Sequence, residues 1–178
     1  AQASADRINE VLDSADTITD ADKTVALPEG PASLAFEDVS YRFEGAERPA
    51  LSHITAQATA GQTMAIIGGT GSGKSTLVNL IPRLLDATSG HVELSGVDVK
   101  KLSQHDLHEA VSITQQKATL FTGTVRSNMT FGMPYATDEQ IWDALKIAQA
   151  DDFIQEQGGL DMTVEQGGAN FSGGQRQR

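Results

Sequence analysis

The run Gly68-Gly69-Thr70-Gly71-Ser72-Gly73-Lys74-Ser75-Thr76 fits the pattern G-x-x-x-x-G-K-[ST], and its residue types suit one task, holding phosphates. Glycines let a backbone curl through conformations that a side chain blocks, so successive N–H groups can turn toward an anion. A helix starting at the end of the run adds the positive end of its dipole. In such a loop the Lys74 ammonium reaches the β- and γ-phosphates of a nucleotide, and the Ser75 hydroxyl binds Mg²⁺. A flexible glycine linker would explain the glycines but not their flanks. Met64-Ala65-Ile66-Ile67 is a short apolar run, which predicts a buried parallel strand ahead of the loop. Behind it, Leu77, Leu80, Ile81 and Leu84 recur at helical spacing, and Pro82 is expected to bend or end that helix.

A second set of backbone donors lies in Ser172-Gly173-Gly174-Gln175-Arg176-Gln177-Arg178, where two glycines follow a serine at the start of a Gln/Arg-rich helix. Alone, this run reads as a flexible loop. With a phosphate loop upstream, it reads as another anion-holding surface.

The elements that position these runs can be read coarsely. Residues 5–12 predict a short helix, and residues 13–31 are mostly small and acidic with a Pro-Glu-Gly-Pro breaker, as in a solvated linker. Strands are predicted around Leu34, Phe36 and Tyr41-Arg42-Phe43, over 51–58, over 91–94 after a turn at Thr88-Ser89-Gly90, and as a short buried run over 111–114. Residues 124–129 predict a short helix. Thr137-Asp138-Glu139-Gln140 is a capping box that opens a helix through Ile141, Leu145 and Ala148, with Trp142 as a core residue. Early strands, a phosphate loop and later helices predict an α/β domain with a helical insertion.

Composition narrows the function classes. A chain of 178 residues is one domain by length. Its net charge of −11 argues against nucleic acid or an anionic membrane surface as the main partner. There is no cysteine, hence no disulfide framework or thiolate metal site. His53, His91, His105 and His108 show no metal-ligand spacing among themselves, and His105 and His108 read as surface residues. No apolar stretch reaches transmembrane length. The chain begins at Ala1, which predicts a start processed or cut from something longer.

With both glycine-rich runs placed, the chain resembles the ATP-binding cassette (ABC) ATPase domain of multidrug-exporter-type transporters. The resemblance is carried by both runs and by several further stretches. Residues 3–13 look like the segment joining an exporter's last membrane helix to its ATPase domain. Phe36-Glu37-Asp38-Val39-Ser40-Tyr41-Arg42-Phe43 looks like the first strand, and Asn79-Leu80-Ile81-Pro82-Arg83-Leu84 and Ser89-Gly90-His91-Val92 follow the family's order. Ile113-Thr114-Gln115-Gln116-Lys117-Ala118-Thr119-Leu120-Phe121 looks like the Q-loop.

The resemblance implies a P-loop NTPase (ABC ATPase) core with an antiparallel β subdomain and a helical subdomain. It divides the chain into a linker from the transmembrane domain over 1–31 and a partial nucleotide-binding domain over 32–178, helical from about 117. ATP and Mg²⁺ are the implied ligands. Tyr41 would stack on adenine, Gln116 would sense the metal or orient water, and Ser172, Gly173, Gly174 and Gln175 would touch nucleotide held by a second domain. The family's Walker B strand, its Mg²⁺-binding Asp, its catalytic Glu and its switch His are expected beyond Arg178. The implied partners are a second nucleotide-binding domain, placed head-to-tail, and the exporter's membrane domains, at the cytoplasmic face of the cell membrane. Phe171 stands where the family usually has leucine and Gln166 where many exporters have glutamate. Both resemble one half of a heterodimeric bacterial exporter. A soluble ABC ATPase acting on DNA or ribosomes fits the acidic charge and exporter-like start less well. A small GTPase lacks its Asn-Lys-x-Asp motif here.

Overall fold

A computed structural model describes residues 7–9, 12–13, 17–115 and 118–178. The chain divides into two compact units, Ala1–Ser112 and Ile113–Arg178. Of the helix predicted over 5–12, residues 7–9 and 12 are helical and the other four lie outside the described residues.

The first unit is built on an antiparallel sheet. Strands β1 (Leu34–Tyr41), β2 (Leu51–Ala58), β3 (Ser89–Leu94) and β4 (Val97–Asp98) lie in the order β2-β1-β3-β4. Phe36 and Val39 are three positions apart, yet both are buried. A register shift between them, from Phe36↔Ala56 to Val39↔Ile54, supplies the extra residue of a bulge. At that bulge Asp38 has φ 49°, and its carboxylate meets His53 Nδ1 at 2.8 Å. Gly90 has φ 69°, and a Cβ there would lie 2.3 Å from the Glu37 carbonyl oxygen, so only glycine lets β3 pass the bulge. Ser95 and Gly96, both at positive φ, form the tight turn between β3 and β4.

Helix α1 (Lys74–Leu80) buries Leu77 and Leu80 in the core with Phe36, Val39, Val92 and Leu94. It ends before Pro82, as the ring requires. Helix α2 (Gln104–Ala110) is capped by the Ser103 hydroxyl and contributes Leu107.

Three expectations are corrected. Neither 64–67 nor 111–114 forms a strand. A buried strand needs neighbours for its backbone groups, and among the described residues neither run has one. The apolar pattern alone therefore builds no ladder, and Ile67 is 93% exposed. Nor is the acidic stretch merely solvated. Asp20 Oδ1 accepts from Gln104 N at 2.8 Å, capping α2 alongside Ser103. Val25 N donates to Lys101 O at 2.8 Å, and the Thr19 carbonyl accepts from Arg83 Nη2 at 3.0 Å.

In the second unit, β5 (Gly123–Thr124) pairs antiparallel with β6 (Thr163–Val164). Helices α3 (Val125–Met129), α4 (Asp138–Ile147) and α5 (Asp151–Glu156) surround a core that includes Val125, Ile141, Leu145, Ile154 and Phe171. The capping box at Thr137 and Gln140 forms in both directions, and a second one forms at Thr124 and Ser127. Trp142 packs half-buried on this core. Arg126 bonds Asp138, at the start of α4, and Asp161 at 3.2 Å. Those side-chain bonds, that to Asp138 first, raise the Arg126 pKa above its ordinary value.

Candidate functional site

The loop from Gly68 to α1 folds around its own lysine. Lys74 Nζ donates to the carbonyl oxygens of Gly68 at 2.8 Å and Gly69 at 2.7 Å, and lies 3.4 Å from Ser72 Oγ. The loop thus holds one concentrated positive charge at the start of the helix. Gly73 is the N-cap residue of α1 at φ 88°, with no side-chain cap, so the first-turn N–H groups stay available to an anion. A Cβ on Gly73 would lie 2.8 Å from both the Ala50 carbonyl oxygen and Leu51 Cδ2. On Gly68 it would lie 2.6 Å from Ser72 Oγ. Backbone contact and positive φ therefore demand glycine at Gly73, while at Gly68 the neighbour is a serine side chain.

A concavity of about 270 Å³ opens at this loop, lined by Gly71, Ser72, Gly73, Lys74, Ser75 and Thr76, with Ala50 and Phe43. Thr70 forms the exposed turn ahead of it. The aromatic on this wall is Phe43. Tyr41 is half-buried against the core, and its ring meets Phe43 edge to face with centroids 4.9 Å apart. The family resemblance points to Tyr41, but β1 ends at Tyr41 and the aromatic that lines the concavity is Phe43.

The donor set fits a nucleotide phosphate: glycine backbone, an ammonium and hydroxyls, with no carboxylate on the wall. The exposed Ser75 hydroxyl offers one hard oxygen to Mg²⁺, the ligand type that ion requires. Gln116, the other expected metal contact, lies outside the described residues.

In the second unit, Ser172 is the N-cap residue of α6 (Gly173–Gln177). Its hydroxyl accepts from Gln175 N at 3.2 Å, and Gln175 Oε1 accepts from Ser172 N at 2.9 Å. Buried Phe171 anchors the approach, its ring edge-on to Phe153. Asn170, which no sequence motif marks, braces the turn by bonding Glu165 N at 3.0 Å and the Thr163 carbonyl at 2.8 Å. A Cβ on Gly173 or Gly174 would meet nothing within 4 Å. Packing among the described residues therefore does not require those glycines.

A family model described as "ABC transporter" matches residues 51–178. An uncharacterized ABC transporter ATP-binding protein of Mycobacterium tuberculosis is 41% identical over 182 residues, spanning all of this chain and 31% of that protein. A multidrug efflux ATP-binding/permease protein of Mycobacterium bovis is 40% identical over 179 residues, across all of this chain and 15% of its own length. An ATP-dependent lipid A-core flippase of Desulfotalea psychrophila is 39% identical over 177 residues, covering 99% of this chain and 31% of the flippase. Among solved structures, a bacterial Atm1-family ABC exporter with ATP bound superposes with a TM-score of 0.89 at 28% identity, over 97% of this chain and 30% of that one. The chain thus spans a third or less of the length of these relatives.

Proposed function

The chain belongs to the ABC transporter family, and on that premise we propose that it is the ATP-binding and hydrolysing part of an exporter that moves small molecules or drugs across a membrane. The observation that carries this reading is the 68–76 loop with the Lys74 ammonium held at its centre. Lys74 and the amides at the start of α1 hold the β- and γ-phosphates, and Ser75, with Gln116, holds Mg²⁺. Mg²⁺ supplies charge neutralisation at the phosphate oxygens. Phe43 offers adenine its exposed face, and Tyr41 buttresses that ring from the side.

Ser172, Gly173, Gly174 and Gln175 serve nucleotide held by a second, head-to-tail domain. The unobstructed space around both glycines among the described residues supports this reading, because it leaves room there for a ligand. Closure and reopening of the pair would move attached membrane domains at the cytoplasmic face. The test uses the full-length protein. Gly174→Glu, at the start of α6, should keep ATP binding and lose turnover. Loss of both together would place Gly174 in its own chain's site and contradict the reading.

A second reading, an ATP-binding half of a heterodimer with a degenerate site, rests on Gln166, which stands where many exporters carry glutamate. It predicts nucleotide binding without turnover when the protein pairs only with itself.

A further inference from the structure

On the sheet of the first unit, strand register gathers three ligating side chains that are far apart in sequence. His91 is paired directly with Glu37 across β1 and β3, and Glu93 follows His91 by two positions. The alternation of β3 buries Val92 and Leu94, so His91 and Glu93 share the opposite face, and the register brings Glu37 to the same face. We propose that Glu37, His91 and Glu93 form a binding site for a divalent transition-metal ion of the Zn²⁺ class.

The geometry carries the proposal. His91 Nε2 lies 3.1 Å from Glu37 Oε2 and 3.4 Å from Glu93 Oε1, and all three ligand atoms lie within 4.8 Å of one another. A tetrahedral ion with bonds near 2.1 Å holds its ligand atoms about 3.4 Å apart. An ion-pair reading leaves this convergence poorly explained. A protonated imidazole has one N–H at Nε2, which can point at only one of the two carboxylates, while the carboxylates repel each other. A metal ion satisfies all three at once.

The ligand types select the class of ion. One imidazole nitrogen with carboxylate oxygens suits Zn²⁺ or a similar transition metal, whereas Mg²⁺ and Ca²⁺ favour oxygen throughout. His91 and Glu93 line a concavity of about 440 Å³ shared with Gly96, Val97 and Lys101, which leaves room for water to complete the coordination shell. Asp98 also lines it, but Asp98 Oδ1 already accepts from Lys100 N at 2.9 Å. No residue of the 68–76 loop lines this concavity, so the site is separate from the proposed nucleotide site.

The test titrates full-length, untagged protein with Co²⁺ in the absence of nucleotide, following the visible absorption of four-coordinate cobalt, and then adds Zn²⁺. A saturable band, bleached by Zn²⁺ and absent from both His91→Ala and Glu93→Gln, is expected, with His105→Ala retaining it. Glu93→Gln is nearly isosteric, and a melting temperature equal to the unsubstituted protein's separates lost ligation from lost fold. A band that survives in Glu93→Gln or His91→Ala, or no band in the unsubstituted protein, overturns the proposal and leaves an ion-pair cluster.

Discussion

The rings of Tyr41 and Phe43 meet at 89° with their centroids 4.9 Å apart, Tyr41 against the core and Phe43, 48% exposed, on the wall of the phosphate-loop concavity. The pair divides into a support and a contact surface. Phe43→Ala should weaken ATP binding about fivefold, since a stacking contact contributes on the order of 1 kcal/mol. Tyr41→Ala should act mainly on thermal stability. Calorimetric titration and melting curves of both variants check this, and the opposite pattern would return the adenine contact to Tyr41.

Two glycines, one from each glycine-rich run, should respond differently. Gly73→Ala puts a Cβ 2.8 Å from the Ala50 carbonyl oxygen at φ 88°. The left-handed backbone alone costs about 1–2 kcal/mol, and the clash adds to it, so melting temperature and ATP affinity should both fall. Gly173→Ala has no neighbour within 4 Å and no strained φ, so its melting temperature should match the parent's.

Arg83 fastens the acidic stretch to the first unit. It is 7% exposed, pairs with Asp86 at 3.0 Å and donates to the Thr19 carbonyl at 3.0 Å. Arg83→Met removes both partners' donor and should cost roughly 1–3 kcal/mol. Hydrogen exchange should show faster exchange at Val25, whose amide bonds Lys101, with little change in the second unit.

Arg126 provides a pH test. Its pKa is raised by hydrogen bonds to Asp138 and then Asp161, so its contribution is complete below its unfolded pKa and is lost only as pH climbs through the higher folded value. For an arginine that window lies beyond ordinary working pH. Arg126→Lys should move the loss to just above the lysine range, about pH 10.4 and upward. Any constant offset from the lost bidentate contact to Asp138 aside, the melting temperatures of the two proteins should diverge with pH on that alkaline side.

Local chemistry was legible in the sequence, and long-range pairing much less so. The Thr137 capping box depends on residues a few positions apart and forms as expected, and the helix expected after the 68–76 loop starts at Lys74. The apolar run at 64–67 signals burial, but a strand also needs partners, which a hydropathy pattern does not supply. Tyr41 and Phe43 are two positions apart, and the end of β1 at Tyr41 decides which of them faces the loop. Asp20 looked like one more solvated acid because its partner, the Gln104 amide, belongs to a distant helix. His91 carried no metal spacing with the other histidines because its ligating neighbours are glutamates, one of them across a strand pair.

Lys74, held by the Gly68 and Gly69 carbonyls, is the charge we propose to grip ATP for hydrolysis. Steady-state ATP turnover is compared between the full-length protein and its Lys74→Ala variant. Turnover should fall to background in Lys74→Ala while the melting temperature stays close to the parent's. Undiminished turnover in the variant would remove Lys74 from the site.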